Sequence, residues 1–222
     1  MAVVGGDEGI GVELQLQIGG AVEVCQAVLF DMDGVLVDSM ALIENQLRQW
    51  ALQRGVDPQL VVDLSPGRTN AELVALVAPH LDAVAEERLL LELEVSTAGE
   101  VAACPGALAL VAQLPVGSWA VVTSGNRPVA QARLRAAGFG VPGVLVTADD
   151  VTVGKPDPQG YEMAARLLGV AVEACVVVED AVAGLMAAAA AGIRAVAVQG
   201  TGDVLDAPHE HAVESLEQVS LR

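Results

Sequence analysis

Uninterrupted apolar runs alternate with longer helical stretches through most of the chain. The apolar runs are AVLF (27–30), WAVVT (119–123), GVLVT (143–147), CVVVE (175–179) and RAVAV (194–198), and the helical stretches are 127–138, 158–169 and 181–192. Strands that are apolar at every position are typically buried on both faces, and helices between such strands are typical of parallel sheets. The pattern therefore predicts an α/β fold, a doubly wound parallel sheet covered by helices.

The pattern changes between residues 38 and 104. Helical periodicity covers 41–55, 70–79 and 82–95, and no convincing strand interrupts it. We predict a helical cap at 38–104, inserted into an α/β core formed by 22–37 and 105–222, with an N-terminal extension or edge hairpin at 1–21. A cap inserted after the first strand would lie above the carboxyl edge of the sheet, where open α/β folds bind ligands.

Composition and charge exclude several classes of protein. The chain has 222 residues, 53% of them apolar, which suffices for a buried core. A net charge of −18 without a basic stripe argues against a nucleic-acid partner, because such binding needs Lys and Arg opposite phosphates. Three widely spaced cysteines (Cys25, Cys104 and Cys175) fit neither a disulfide framework nor a zinc site. With no secretory or membrane-spanning pattern at the N-terminus, we expect a cytoplasmic protein without a membrane partner, monomeric or weakly dimeric.

Two aspartates follow the first apolar run, in VLFDMDGVLVDS. Asp31 and Asp33 are two residues apart, so in extended geometry both carboxylates point to one side and repel each other unless a cation lies between them. Mg²⁺, which prefers oxygen ligands, is the natural cation. An Asx turn is the ordinary alternative. A calcium-binding EF-hand loop is excluded, because Leu36 and Leu42 stand where that loop needs Gly and Glu.

Three further polar stretches stand at or just beyond the ends of other predicted strands. Thr123 and Ser124, in TSG, offer hydroxyl and backbone N–H groups to a phosphate oxygen. Glu179 and Asp180, in VED, end a strand, although Asp180 alone could be a helix N-cap. Lys155, in GKP, is the only lysine of the chain beside ten arginines, which makes an incidental surface lysine less attractive.

Together these stretches resemble the haloacid dehalogenase superfamily of phosphotransferases. The order D-x-D-G-x-x-x-D-S, T-S-G, G-K-P-x-P and V-E-D-A-x-x-G is matched from about residue 22 onward. The stretches SPGRTNAELVALVAPHLD, CPGALALVAQLP and WAVVTSGNRP are similar to the sugar-phosphate and glycerol-phosphate phosphatases of this superfamily.

The resemblance implies roles for the acidic residues. Asp31 would be the nucleophile that forms an aspartyl phosphate, and Asp33 the general acid and base. Mg²⁺ would be held by Asp31, Asp180 and the backbone carbonyl of Asp33, with Glu179 nearby. A carboxylate attacks an anionic phosphate poorly until positive charge offsets the repulsion, so the implied roles agree with the chemistry.

The resemblance also implies the groups that bind the substrate. Thr123 and Lys155 would bind the transferring phosphoryl group, with Ser124 beside them in the phosphate turn. Arg68 corresponds to an arginine that such caps direct into the site, and an exposed arginine near a helix start is the equally good alternative. Asn126, just after the phosphate turn, is a further candidate to line the site.

These inferences predict a Mg²⁺-dependent phosphatase for a small phosphorylated sugar or polyol. A β-phosphoglucomutase-like isomerase is the first alternative, but such mutases carry a cap-linker histidine, and here Ile43 and Glu44 occupy that neighbourhood. A catalytically idle protein that binds a phosphorylated ligand is the second. A true dehalogenase would lack the second aspartate, so Asp33 argues against it.

Overall fold

The structure is a computed structural model that describes residues 12–199 and 204–222. The strands are β1 (Leu14–Ile18), β2 (Ala21–Cys25), β3 (Ala27–Phe30), β4 (Val37–Asp38), β5 (Ala102–Ala103), β6 (Trp119–Val122), β7 (Leu145–Val146), β8 (Cys175–Glu179), β9 (Arg194–Val198), β10 (His211–Val213) and β11 (Val219–Leu221). The α-helices are α1 (Met40–Arg54), α2 (Pro58–Leu64), α3 (Asn70–Val77), α4 (Ala83–Thr97), α5 (Ala107–Val111), α6 (Arg127–Ala136), α7 (Gln159–Leu168) and α8 (Val182–Ala190). Short 3₁₀ turns lie at Ala98–Glu100, Ala148–Asp150, Val172–Ala174, Val204–Asp206 and Leu216–Gln218.

A six-stranded sheet in the order β10-β9-β8-β3-β6-β7 forms the centre of the molecule. Every neighbouring pair in this sheet is parallel, so the carboxyl ends of all six strands meet at one edge. Strand β3 lies in the middle, between β8 and β6. The predicted parallel α/β sheet is therefore confirmed, and the edge that carries the polar stretches is shared by β3, β6 and β8.

Side chains of β3 are buried on both faces of the sheet. Val28 and Phe30 join one apolar cluster, and Ala27 and Leu29 join another on the opposite face. Successive residues of a strand point to opposite faces, so a strand covered on both sides must be apolar throughout. Full burial of a Leu or Phe side chain contributes roughly 1.5–3 kcal/mol, which explains why AVLF occupies the central strand.

The helical segment after β4 has an apolar core of its own. Leu47, Trp50, Val61, Leu73 and Leu90 pack together there, one or more from each of α1 to α4. The helices predicted at 41–55, 70–79 and 82–95 are present as α1, α3 and α4, and α2 is an additional short helix. The division into cap and core at 38 and 104 stays a prediction.

The expectation of no strand between residues 38 and 104 is wrong in one detail. Val37 and Asp38 pair with Ala103 and Ala102 in an antiparallel ladder, so the two connections between the sheet and the helical segment run side by side. Two-residue strands carry no periodicity, so the sequence pattern offers no signal for them.

The N-terminal residues that the structure describes form an edge hairpin. Strands β1 and β2 pair antiparallel, and β11 from the C-terminus pairs with the other side of β1. The predicted extension at 1–21 therefore includes a strand from Leu14, and residues 1–11 lie outside the described residues. Among the described residues, none of the helices has the length and apolar character that a membrane crossing requires.

Candidate active site

The shared carboxyl edge brings four of the predicted polar residues together. Asp31 follows β3, Thr123 follows β6, Asp180 follows β8, and Lys155 lies on the loop after β7. All four side chains are buried. The sequence prediction that these strand ends converge is therefore correct in geometry.

Lys155 lies between two carboxylates. Its Nζ donates to Asp31 Oδ1, to Glu179 Oε1 at 2.6 Å and to the carbonyl oxygen of Val122 at 3.3 Å. Burial alone would lower the pKa of this amine, but the carboxylates of Asp31 and Glu179 outweigh it and hold the pKa well above its usual value. Lys155 is thus a fixed ammonium at the nucleophile candidate.

Glu179 positions Lys155, and both of its carboxylate oxygens accept hydrogen bonds from the protein. Its Oε1 accepts from Lys155 and from the hydroxyl of Tyr161 at 3.0 Å, and its Oε2 accepts the backbone N–H groups of Asp180 and Ala181, each at 2.8 Å. Both oxygens therefore have protein donors. Tyr161 was not anticipated from sequence, because an aromatic residue on the apolar stripe of α7 looks like ordinary core.

Three carboxylates form a group that can hold a cation. Asp31, Glu179 and Asp180 each offer an oxygen, and these atoms lie within 4.8 Å of one another. Burial raises the pKa of Asp31 to about 8, against the opposing effect of Lys155, and raises the pKa of Asp180 well above its usual value. Among the residues described, Asp180 Oδ2 is buried without a hydrogen-bond partner. A hard divalent cation such as Mg²⁺ would satisfy this oxygen and offset the repulsion, so the residues fit the predicted cofactor.

Gly34 explains part of the D-x-D-G motif. It has a φ of +85°, and a Cβ at this position would lie 2.1 Å from Asp180 Oδ2. Only glycine combines that backbone conformation with so close an approach. Gly34 thereby lets the loop after β3 reach the carboxylate that follows β8.

The hydroxyl groups after β6 have different partners. Thr123 Oγ1 accepts the backbone N–H of Gly125 at 3.0 Å, which leaves its own proton available to a phosphoryl oxygen. Ser124 Oγ instead donates to the carbonyl of Gly67 at 2.7 Å, a residue between α2 and α3. Ser124 therefore links the sheet edge to the helical segment through a hydrogen bond, and its hydroxyl proton is already used.

Two predicted site residues have their polar groups engaged elsewhere. Arg68 borders the cavity, but its side chain is exposed and Nη1 donates to the carbonyl of Leu64 at 2.5 Å, where it closes the end of α2. Asn126 Nδ2 donates to Asp149 Oδ1 at 2.8 Å, away from the residues that line the cavity. The resemblance implied the role of Arg68 and the position after the phosphate turn that of Asn126, whereas local hydrogen bonds decide where these side chains point.

Asp33 has a partner that the sequence reading missed. Its Oδ1 accepts from Ser39 Oγ at 2.5 Å and from Arg133 Nη1 at 3.0 Å. Arg133, on α6, is only 1% exposed. Its Nη2 lies 3.7 Å from Oε1 of Glu94, on α4. In sequence, QARLRAAG resembles any amphipathic surface helix, so the burial of this arginine gave no signal.

These residues line a cavity between the helical segment and the sheet edge. Its volume is about 90 Å³, and its polar walls include Asp31, Asp33, Thr123, Asp180 and Arg133. Met40, Ile43, Leu47 and Leu73 supply apolar walls. A pocket with a few convergent polar groups and perturbed carboxylates is the expected form of an active site.

Comparison with known proteins agrees with this geometry. The family model for haloacid dehalogenase-like hydrolases matches residues 25–192. Hexitol phosphatase A of Escherichia coli is 39% identical over 206 residues, which cover 89% of this chain and 94% of that protein. The 2-deoxyglucose-6-phosphate phosphatase 2 of Saccharomyces cerevisiae is 32% identical over an alignment of 227 residues, gaps included, which covers 90% of this chain and 91% of that protein.

A solved structure shows the same architecture. CbbY from Rhodobacter sphaeroides, in complex with phosphate, superimposes with a TM-score of 0.74 at 27% identity, covering 86% of this chain and 95% of that one. The predicted fold class and the predicted phosphoric monoester hydrolase are confirmed by these comparisons. The chain belongs to the haloacid dehalogenase-like hydrolases.

Proposed function

We propose that this protein is a Mg²⁺-dependent phosphatase that hydrolyses small sugar or polyol phosphate monoesters through an aspartyl phosphate on Asp31. The observation that carries the proposal is the Asp31 carboxylate, which accepts from the buried ammonium of Lys155 and lies beside an Asp180 oxygen that has no hydrogen-bond partner among the described residues. The relatives named above, a hexitol phosphatase and a 2-deoxyglucose-6-phosphate phosphatase, support the class of substrate.

The first half of the reaction transfers the phosphoryl group to the protein. Asp31 attacks phosphorus while the ammonium of Lys155 and the hydroxyl of Thr123 bind phosphoryl oxygens. Asp33 gives its proton to the leaving alcohol oxygen. Asp31, Asp180 and the backbone carbonyl of Asp33 would hold Mg²⁺, which would supply positive charge that offsets the repulsion between phosphate and carboxylates.

The second half regenerates the enzyme. Asp33, now a carboxylate, takes a proton from a water molecule, and the oxygen of that water attacks phosphorus as the bond to Asp31 breaks. Inorganic phosphate leaves.

The test is hydrolysis of p-nitrophenyl phosphate with and without Mg²⁺, in wild type and in Asp31→Asn. We expect activity that needs Mg²⁺ and that Asp31→Asn abolishes, while Asp206→Asn, a change at an exposed aspartate, behaves as wild type. Full activity in Asp31→Asn, or none in the wild type, would refute the proposal. Incubation with β-glucose 1-phosphate separates phosphatase from mutase, since the first releases inorganic phosphate and the second forms glucose 6-phosphate.

A further inference from the structure

Arg133 is a buried guanidinium with spare donors. Its Nη1 holds Asp33 Oδ1 at 3.0 Å, yet within the described part of the chain Nε and Nη2 have no hydrogen-bond partner. The side chain is only 2% exposed and borders the cavity. Buried donors without acceptors are costly, so an acceptor from outside the protein chain, a water molecule or a ligand atom, is expected at these donors.

Glu94 faces this guanidinium from the helical segment. Its Oε1 lies 3.7 Å from Arg133 Nη2, within ion-pair range but too far for a hydrogen bond, and its Oε2 accepts from Asn70 Nδ2 at 2.9 Å. The Glu94 side chain is 12% exposed and borders the same cavity. A donor and an acceptor thus stand opposite each other, spaced so that one hydroxyl could accept from Arg133 and donate to Glu94.

The position of this pair relative to the reaction defines which hydroxyl it can bind. In the proposed reaction, Asp33 protonates the oxygen that leaves phosphorus, and Arg133 holds that same carboxylate. A substrate hydroxyl between Arg133 and Glu94 therefore lies close to the leaving oxygen, on the carbon next to the esterified one.

We propose that Arg133 and Glu94 form a subsite for this neighbouring hydroxyl and make the enzyme selective for phosphate esters of 1,2-diols, open-chain polyol phosphates above all. The inference rests on the proposed function. In a hexopyranose 6-phosphate, the neighbouring carbon carries a ring ether oxygen, which can accept from Arg133 but has no proton for Glu94. Such a substrate offers no donor to Oε1 of Glu94 and binds less well.

The experiment compares two esters that differ by one hydroxyl, glycerol 3-phosphate and 3-hydroxypropyl phosphate. The wild type should favour glycerol 3-phosphate by about 10- to 100-fold in kcat/KM, the discrimination typical of one hydrogen bond to a charged group. Sorbitol 6-phosphate and its 5-deoxy analogue provide a second pair. In Glu94→Leu the ratio should fall at least about threefold below the wild-type value, because only the donor of Arg133 remains for the hydroxyl, with Glu94→Gln between the two.

Controls separate selectivity from folding and from catalysis. Glu92→Gln, on the exposed side of α4, should keep the wild-type ratio. Arg133→Met should also lose the ratio, with kcat lowered for both esters because Asp33 loses a partner. If Glu94→Leu does not fold, the ratio in Glu94→Gln decides.

Three results would overturn the inference. The first is a ratio of kcat/KM for the two esters that is unchanged in the Glu94 variants. The second is a wild type with equal kcat/KM for both esters of each pair. The third is turnover of p-nitrophenyl phosphate but of none of the polyol esters. Failure of the proposed function looks different, because p-nitrophenyl phosphate would then not be hydrolysed in a way that depends on Asp31.

Discussion

Replacing Lys155 separates the charge of this side chain from its shape. Lys155→Met keeps a long unbranched side chain but removes the ammonium between Asp31 and Glu179. Lys155→Arg keeps the charge but brings a broad planar group into a space where Nζ lies 5.2 Å from the centre of the Tyr161 ring and 3.3 Å from the Val122 carbonyl. The two variants therefore test different properties of the same position.

The structure sets the size of each effect. The side chains of Lys155 and Asp31 are only 6% and 11% exposed, so solvent cannot replace the lost partner. Removing one member of a buried ion pair costs about 3–5 kcal/mol, and the lower end applies because Asp31 can take up a proton. For a chain of this length 3 kcal/mol corresponds to a fall in Tm of roughly 6–12 °C. Loss of a donor that stabilises charge in the transition state lowers kcat by about 10²–10³.

The assays are thermal unfolding by circular dichroism and hydrolysis of p-nitrophenyl phosphate at saturating Mg²⁺. We expect Lys155→Met to lose both stability and activity, and Lys155→Arg to fold with a Tm near that of the wild type while losing most of its activity. Arg135→Met, which removes an exposed positive charge from α6, is the matched control and should change neither. A kcat within threefold of wild type in Lys155→Met would refute the reasoning, and a fully active Lys155→Arg would refute the need for a compact ammonium.

Three further changes test the surroundings of the nucleophile. Gly34→Ala should abolish activity because its Cβ would meet Asp180 Oδ2. Gly117 has a similar φ of +84° with open space around it, so Gly117→Ala should lower only the stability. Unfolding and turnover are measured for both variants. Asp180→Asn should lose the rise in Tm that Mg²⁺ gives the wild type, worth about 2.7 kcal/mol at a concentration of 100 Kd; an equal rise in the variant would contradict its role as a ligand. Tyr161→Phe removes one hydrogen bond to Glu179 and should lower the free energy of unfolding in denaturant by about 1 kcal/mol. If Tyr161 acts only through Glu179 on Lys155, kcat should not fall by a larger factor than kcat/KM.

The strand-end residues could be placed from sequence because a parallel sheet leaves little freedom. Apolar runs identify the strands, and every residue that follows such a run must appear at the same edge. Asp31, Thr123 and Asp180 obey this rule directly. The rarity of lysine and the GKP motif point to Lys155, and its loop reaches the same edge.

The burial of polar side chains on helices could not be predicted in the same way. Arg133, Glu94 and Tyr161 lie on helices, where a polar residue usually faces solvent, and their burial depends on how the helical segment packs over the sheet. Arg68 and Asn126 show the converse, because their nearest partners are carbonyl and carboxylate groups that periodicity does not reveal. Tertiary packing and local hydrogen bonds therefore decide the parts of the site that sequence could not.

The central claim, that Asp31 carries the phosphoryl group and Asp33 acts as acid and base, is tested most directly with Asp33→Asn and p-nitrophenyl phosphate. Nitrophenolate leaves without a proton, so transfer to Asp31 should still proceed, while hydrolysis of the aspartyl phosphate lacks its base. We predict a burst of nitrophenolate equal to the enzyme concentration, together with a phosphoryl adduct on the peptide that contains Asp31. Steady turnover at the wild-type rate, or a burst with the adduct on another residue, would contradict the account.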